Sequence, residues 1–78
     1  MADRKKQIRI FNNTFSITSK PLMRDGKQLG WEITIILYKD NEKIKETYQD
    51  FAKDVVYAEE ASFGYFLGTH CEGGIFWN

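Results

Sequence analysis

The stretch LGWEITIILY, residues 29–38, decides the fold of this 78-residue chain. Its side chains alternate between two sides, and many are β-branched or aromatic, which is typical of a β-strand. Four apolar residues share one side: Trp31, Ile33, Ile35 and Leu37. The other side adds Ile36 and Tyr38 to its polar residues. Because both faces are largely apolar, we expect this strand to lie in the middle of a small antiparallel sheet, with a helix packed on the Trp31 side.

Turn signals precede this central strand. The pair Asp25-Gly26 suits a tight hairpin, because both residues accept positive φ. A first strand is expected before that hairpin, starting near Ile8 and interrupted by a turn or bulge at Asn12-Asn13. Pro21 cannot donate a hydrogen bond to a neighbouring strand, so it marks an edge or a strand end.

The chain after the central strand predicts a turn, a further strand and a helix. Residues 39–42 form the turn, and residues 43–49 form a third strand with Ile44 and Tyr48 pointing inward. The other side of that strand is polar, as is usual for an edge strand.

A helix is then expected from about Ala52 to Leu67, with Asp50 as its N-cap and Gly68 just beyond its end. Its apolar residues gather in one arc on a helical wheel: Ala52, Val55, Val56, Phe63, Phe66 and Leu67. After it, Gly73-Gly74 should turn the chain. Residues 75–77 then either add a short strand at a sheet edge or pack over the helix end.

These elements predict an α+β fold: a three- to four-stranded antiparallel sheet with one helix on one face, in the order β-β-β-α. The length fits a single domain over residues 1–78, with residues 1–7 as a loose basic lead-in. No apolar run reaches the roughly 20 residues of a membrane span, and the N-terminus lacks the apolar core of a signal peptide. With Cys71 as the one cysteine, we expect no internal disulfide, no membrane contact and a cytoplasmic location.

The formal net charge of zero conceals a polarity along the chain. Residues 1–30 hold seven basic and two acidic residues, a net charge of +5, and residues 31–78 carry −5. One interpretation is two solvated faces that favour solubility. The other is a basic arm that meets an anion, or an acidic helix that meets a basic partner.

Glu59 is the most unusual residue of the predicted helix, because it falls inside the apolar arc. Burial there would raise the pKa of its carboxyl unless a cation or hydrogen-bond donors compensate. Such residues are over-represented at functional sites. The alternatives are that the wheel is misaligned, or that Glu59 pairs with a lysine or arginine of the sheet.

The opposite side of the helix carries small and aromatic residues where a surface helix usually shows charges: Tyr57, Ala58, Ala61, Gly64, Tyr65 and Gly68. Small residues allow another backbone to approach closely, and tyrosines often anchor interfaces. We therefore predict a partner-binding face at Tyr57, Ala61, Gly64 and Tyr65. The alternative is a helix that ends near Phe63, leaving Gly64-Tyr65 in a loop. Ile36 and Tyr38, on the far side of the sheet, form a second candidate face.

The run His70-Cys71-Glu72 holds the only histidine and the only cysteine of the chain. Neighbours in an extended segment point in opposite directions, so His70 and Cys71 are not expected to work as a base and nucleophile. A metal site needs further ligands, and no glycine-rich phosphate loop is present. We therefore expect no enzyme activity, no metal and no cofactor.

A three-stranded sheet followed by one helix, with Asp25-Gly26-Lys27 at a turn and Trp31 after it, resembles the arm-type DNA-binding domains of phage integrases. The resemblance covers residues 24–67 and concerns strand order and a turn. It implies a sheet laid in the DNA major groove. Those domains are basic, whereas this chain is neutral. The cations available for nucleic acid are concentrated in the first 30 residues: Arg4, Lys5, Lys6, Arg9, Arg24 and Lys27.

The preferred prediction is a non-enzymatic binding module that works through protein–protein contact, with another protein or a second copy of itself as partner. Size and composition fit an accessory or inhibitor protein of a phage or mobile element. The alternative is a nucleic-acid-binding domain that uses the basic N-terminal part and the sheet.

Overall fold

The computed structural model describes residues 3–10, 12–39 and 41–71, which form a four-stranded antiparallel sheet with one helix on one face. The elements follow one another as β1 Arg4–Ile10, β2 Asn13–Arg24, β3 Lys27–Lys39, β4 Glu42–Asp50 and α1 Val55–His70. The strands lie side by side in chain order. The predicted α+β class is confirmed. Within the described residues, no helix is both long enough and apolar enough to cross a membrane.

The strand β3 lies between β2 and β4, as its alternation predicts. Its odd-numbered side chains from Trp31 to Leu37 are buried beneath α1. Its even-numbered side chains point to the other face of the sheet, which α1 leaves uncovered. There Ile36 is half-buried and Tyr38 is exposed. Burial beneath α1 accounts for the apolar residues on one face of this strand, whereas no described element covers Ile36 and Tyr38 on the other.

The predicted turns are confirmed. Asp25 and Gly26 both adopt positive φ, at 52° and 76°, as a tight hairpin requires. Lys39 pairs with Glu42 across the next turn. The turn at Asn12 separates two strands instead of bending one, and for that reason four strands precede the helix where the sequence predicted three.

The expectation that residues 1–7 form a loose lead-in is wrong from Arg4 onward. The strand β1 begins at Arg4, which pairs with Ser19 of β2, and the pairing continues to Ile10 opposite Asn13. Polar residues with weak strand preference are held here because β2 supplies a complete ladder of partners. Because β1 begins at Arg4, opposite Ser19, the later residue Pro21 of β2 has no partner in β1 and lies where β2 is an edge, as predicted.

Gly30 is the point where the chain leaving β4 crosses over β3. The pairing of β2 with β3 shifts between Leu22 and Met23, which leaves Leu29 as an extra residue beside Gly30. A Cβ at Gly30 would overlap the carbonyl oxygen of Asp50 and stand 2.6 Å from the Cα of Phe51. The sequence therefore needs glycine here for close approach of two backbones.

The helix begins later than predicted. Asp54, with φ −82° and ψ 119°, is its N-cap, and its carboxylate accepts a hydrogen bond from the N–H of Val56 at 3.0 Å. Asp50 is instead the last residue of β4, opposite Trp31, and its carboxylate accepts from the N–H of Ala52 at 2.8 Å. The prediction of Asp50 as N-cap is wrong because strand pairing extends through that residue.

The helix also ends later than predicted. Gly68 lies inside α1, which continues to His70, and the N–H of Cys71 donates to the carbonyl of Leu67 at 2.9 Å. Gly68 is therefore not the residue that ends the helix. The alternative in which the helix stops near Phe63 is wrong as well. The predicted turn at Gly73-Gly74 and the segment 75–77 lie outside the described residues.

The buried face of α1 differs from the predicted arc. Ala58, Glu59, Ser62 and Phe66 are buried, whereas Val56 of the predicted arc is 39% exposed. The other helical residues of the predicted arc do pack on the core: Val55, Phe63, Phe66 and Leu67. Three of the four buried residues are small or polar and gave the pattern little hydrophobic signal. The small side chains of Ala58 and Ser62 let the helix lie close to the sheet. Three aromatic rings pack together in the core. The ring of Phe15 contacts those of Phe63 and Phe66 edge to face, at centroid distances of 5.0 and 6.0 Å.

Candidate functional site

Glu59 lies beneath α1, with only 1% of its side chain exposed, and three side chains of the sheet converge on it. Its Oε2 accepts hydrogen bonds from Arg4 Nε at 2.9 Å and from Ser19 Oγ at 2.6 Å. Its Oε1 lies 3.0 Å from Lys6 Nζ. Arg4 and Lys6 are alternate residues of β1, so the strand period places both on the face that meets the helix.

This cluster stabilises the ionised form of Glu59. Burial raises the pKa of the carboxyl, but the hydrogen bonds from Ser19 and Arg4 and the neighbouring ammonium of Lys6 together outweigh burial, so the pKa lies below its ordinary 4.5. A carboxyl that stays ionised suits an ion pair and does not suit a general acid. Of the two alternatives that the sequence left open for Glu59, the structure shows pairing with cations of the sheet. The ion pairs link α1 to β1.

His70 and Cys71 do not form a nucleophilic pair. His70 Nε2 lies 2.8 Å from Glu46 Oε2, and its ring packs on Phe66 at 4.7 Å. Burial raises the pKa of the Cys71 thiol and the charge of Lys39 only partly offsets this, so the reactive thiolate is disfavoured. Among the described residues, no three histidine, cysteine, aspartate or glutamate side chains gather as metal ligands.

The four residues predicted as a partner-binding face do lie together on the outer side of α1. Tyr57 and Tyr65 are 60% and 72% exposed. Between them, Ala61 and Gly64 line a shallow, mostly apolar depression of about 490 Å³ that extends to Gly68. We call these five residues the helix surface. Ala58, which the sequence also placed here, is fully buried against the sheet instead.

The glycines of the helix surface differ from those that the fold requires. Gly30 is required by close backbone contact and Gly26 by its positive φ. At Gly64 and Gly68, no described atom beyond the chain neighbours and the adjacent helix backbone lies within 4 Å of the position that a Cβ would occupy, and neither has positive φ. Each glycine inside a helix costs about 1 kcal/mol relative to alanine. Within the described part of the chain, nothing offsets that cost.

The cations predicted for nucleic acid are divided among three places. Arg4 and Lys6 point to α1 and contact Glu59. Lys5 and Arg9 alternate with them and point to the uncovered face of the sheet. Arg24 lies at the β2–β3 hairpin, as does Lys27. The predicted basic N-terminal patch therefore does not exist as one surface.

The uncovered face of the sheet carries a different group of cations. We call this surface, without the β2–β3 hairpin end that holds Arg24 and Lys27, the open face; it includes five cations and one carboxylate: Lys5, Arg9, Lys20, Lys43, Lys45 and Glu32. Its net charge is +4, so the rest of the neutral chain carries −4. Sequence reasoning missed Lys20, Lys43 and Lys45. The sequence does hold a signal for Lys43 and Lys45: they flank Ile44, which points inward, so strand alternation places both lysines on the opposite face.

A second groove, of about 360 Å³, lies at the end of the sheet beside Gly30. Leu29 and Phe51 are exposed there, and Trp31 closes one side by donating from Nε1 to the carbonyl of Lys53 at 3.1 Å. Neither Glu59 nor His70 lines this groove or the depression on the helix surface. The two titratable groups that the sequence singled out are therefore separate from both concave surfaces.

Comparison with protein-family models, with curated protein sequences and with solved structures gave no significant match to this chain.

Proposed function

We propose that this chain is a non-enzymatic binding module that works through protein–protein contact, and that the helix surface is where the contact forms. The partner is a second copy of the chain. In this arrangement the sheet serves as a rigid support, and α1 presents its outer side to the second molecule.

The observation that carries the proposal is the pair of glycines beside two exposed tyrosines. Gly64 and Gly68 weaken the helix, and no described neighbour of either needs the space. A glycine that no described neighbour requires is accounted for if a backbone from another molecule approaches it closely. Tyr57 and Tyr65 supply large side chains on either side of that space, as interface anchors do.

The tyrosine at one end of the helix surface is held in position before any contact. The ring of Tyr65 stacks on that of Tyr48 of β4, with centroids 6.4 Å apart and planes inclined by 25°. A side chain that is already ordered loses less conformational entropy on binding. This favours Tyr65 as an anchor despite its exposure.

The spacing of the tyrosines favours a second copy as the partner. Tyr57 and Tyr65 lie four residues before and four residues after Ala61. If two α1 helices cross in antiparallel fashion at a two-fold axis beside Ala61, Tyr57 of each copy faces Tyr65 of the other. A self-complementary contact of this kind is what a two-fold dimer requires.

Replacing Gly64 by leucine tests the proposal. The side chain fills the space reserved for the second backbone, so we expect G64L to sediment as a monomer at concentrations where the unchanged protein is a dimer. Because no described atom is within 4 Å, the monomer should keep its fold and gain about 0.5–1 kcal/mol of stability from helix propensity. Sedimentation velocity over a wide range of concentration, with circular dichroism, measures both effects.

The matched control is Thr47→Leu, which adds an apolar side chain at an exposed position on the open face. This variant should dimerise like the unchanged protein. A G64L variant that dimerises equally well, or an unchanged protein that stays monomeric throughout, would contradict the proposal.

A further inference from the structure

The groove of about 360 Å³ beside Gly30 lies at a part of β3 that has a strand on one side only. The strand β3 begins at Lys27, but its pairing with β4 begins at Trp31. Residues 27–30 therefore pair with β2 alone among the described strands. We call this groove the end groove; its lining consists of Gln28, Leu29, Gly30, Trp31, Phe51 and Lys53.

We propose that the end groove binds an extended peptide segment of another protein, which adds a strand to β3 and places one large apolar side chain in the groove. In recognition of this kind, main-chain hydrogen bonds supply affinity and a pocket for a side chain supplies specificity. The end groove shares no residue with the helix surface, so the inference is independent of the proposed dimer.

The backbone of Gln28 offers the donor and the acceptor that an added strand needs. Residues opposite each other in an antiparallel pair alternate between bonded and non-bonded pairs. Arg24 and Lys27 flank the two-residue turn, so they form a bonded pair. The next pair, Met23 with Gln28, is then non-bonded, and the N–H and C=O of Gln28 point away from β2. These two groups face the side on which the peptide would pair.

This part of β3 lacks the features that protect the other strand edges. Edge strands commonly carry charged residues or proline, which discourage pairing with another chain. The outer strand β1 carries four charged residues and β4 five, and the free end of β2 carries Lys20 and Pro21. The run from Gln28 to Gly30 holds neither a charge nor a proline. An edge of this kind is suited to receive a strand.

The walls of the end groove suit one large apolar side chain. Leu29 and Phe51 border it and are 40% and 66% exposed, so much of their apolar surface faces water. Trp31 is fixed by the hydrogen bond from its Nε1 to the carbonyl of Lys53. Because this wall is already ordered, binding costs less conformational entropy. An apolar side chain of the peptide would cover Leu29 and Phe51.

An acidic residue is favoured next to that apolar side chain. Among the residues that line the end groove, Lys53 alone is charged, and it forms no ion pair within the described part of the chain. The carboxylates near it in sequence are engaged elsewhere. Asp50 accepts from the N–H of Ala52 at 2.8 Å, and Asp54 accepts from the N–H of Val56 at 3.0 Å. A carboxylate of the peptide is therefore the natural partner of Lys53.

Selection from a phage-displayed library of random short peptides tests the inference. We expect the unchanged protein to enrich sequences in which a large apolar residue adjoins aspartate or glutamate. Labelled synthetic peptides of these sequences should bind Phe51→Ser about tenfold more weakly in fluorescence anisotropy, because an anchor contact is lost. Lys53→Gln should weaken binding about threefold, as expected for an exposed ion pair.

The matched control is Tyr38→Ser, which removes an exposed aromatic ring at the far end of β3. It should bind like the unchanged protein, and circular dichroism should show that both serine variants keep their fold. In the complex, hydrogen exchange at the amide of Gln28 should slow, because this N–H gains a strand partner.

The inference is overturned if no peptide is enriched, if the enriched peptides are basic, or if the two serine variants bind equally well. Unchanged exchange at Gln28 in the complex overturns it too. If exchange at Gln28 slows when the unchanged protein alone is concentrated, a second copy occupies the end groove, and the inference is wrong.

Discussion

Replacement of Gly30 by alanine is expected to destabilise the fold by about 3 kcal/mol. The added Cβ would overlap the carbonyl oxygen of Asp50 and crowd the Cα of Phe51 at 2.6 Å. Both obstacles are backbone atoms, so no side-chain rotation relieves the overlap. Either β3 or the crossing segment must move, and the hydrogen bond from Trp31 to Lys53 is then lost.

The matched control is Gly64→Ala, which adds the same methyl group at a helix position with no described atom within 4 Å. It should stabilise the monomer by up to about 1 kcal/mol. Chemical denaturation of both variants under conditions where the protein is monomeric measures the difference. A Gly30→Ala variant as stable as the unchanged protein would show that the segment after β4 does not cross β3 as described.

Replacement of Glu59 by glutamine is expected to cost about 2–3 kcal/mol at neutral pH, because it removes a buried charge that accepts from Arg4 and Ser19 and lies beside Lys6. The loss should be greatest where β1 meets α1. Glu60→Gln is the control: the neighbouring residue is exposed, so its change should stay within about 0.5 kcal/mol.

The same site predicts a pH dependence of stability. The pKa of Glu59 is lower in the folded chain than its ordinary value of 4.5, so the folded state holds the proton less tightly than the unfolded state. The contribution is therefore complete above about pH 4.5 and disappears as pH falls through the folded pKa. Urea denaturation of the unchanged protein and of Glu59→Gln should converge in acid. A stability difference that is the same at pH 7 and at pH 3 would contradict this.

The sequence predicted the centre of the fold well, because local patterns are strong there. Alternation over residues 31–37 identified the interior strand and the side on which α1 packs. The chemistry of Asp25-Gly26 identified the hairpin, where both residues do adopt positive φ. In both cases the signal lies in the stretch itself and needs no knowledge of distant residues.

The sequence failed where a distant residue decides the outcome. Arg4 and Lys6 look like part of a loose tail until Glu59, more than fifty residues later, is placed between them. Asp50 and Asp54 are equally good N-caps by type, and only the pairing of Asp50 with Trp31 assigns the first to the strand. Likewise, Ala58 and Ser62 give no hydrophobic signal, although both are buried.

The candidate surfaces were predicted in part. The helix surface was found from residue type and helical spacing, which act locally. The open face was missed because its cations come from three strands and meet only when the sheet forms. Along the chain, the net charge is +5 over residues 1–30 and −5 over residues 31–78. The fold instead separates charge by face, since alternate residues of one strand point to opposite sides.

Disulfide cross-linking at Ala61 tests the central claim most directly. In a Cys71→Ser background, Ala61→Cys gives the chain a single cysteine. This cysteine lies beside the proposed two-fold axis, where the two copies would be close enough for a disulfide bond. We expect rapid formation of a covalent dimer under mild oxidation, while Thr47→Cys in the same background remains mostly uncross-linked. If the Ala61→Cys protein remains monomeric, or cross-links no faster than the Thr47→Cys protein, a second copy does not occupy the helix surface.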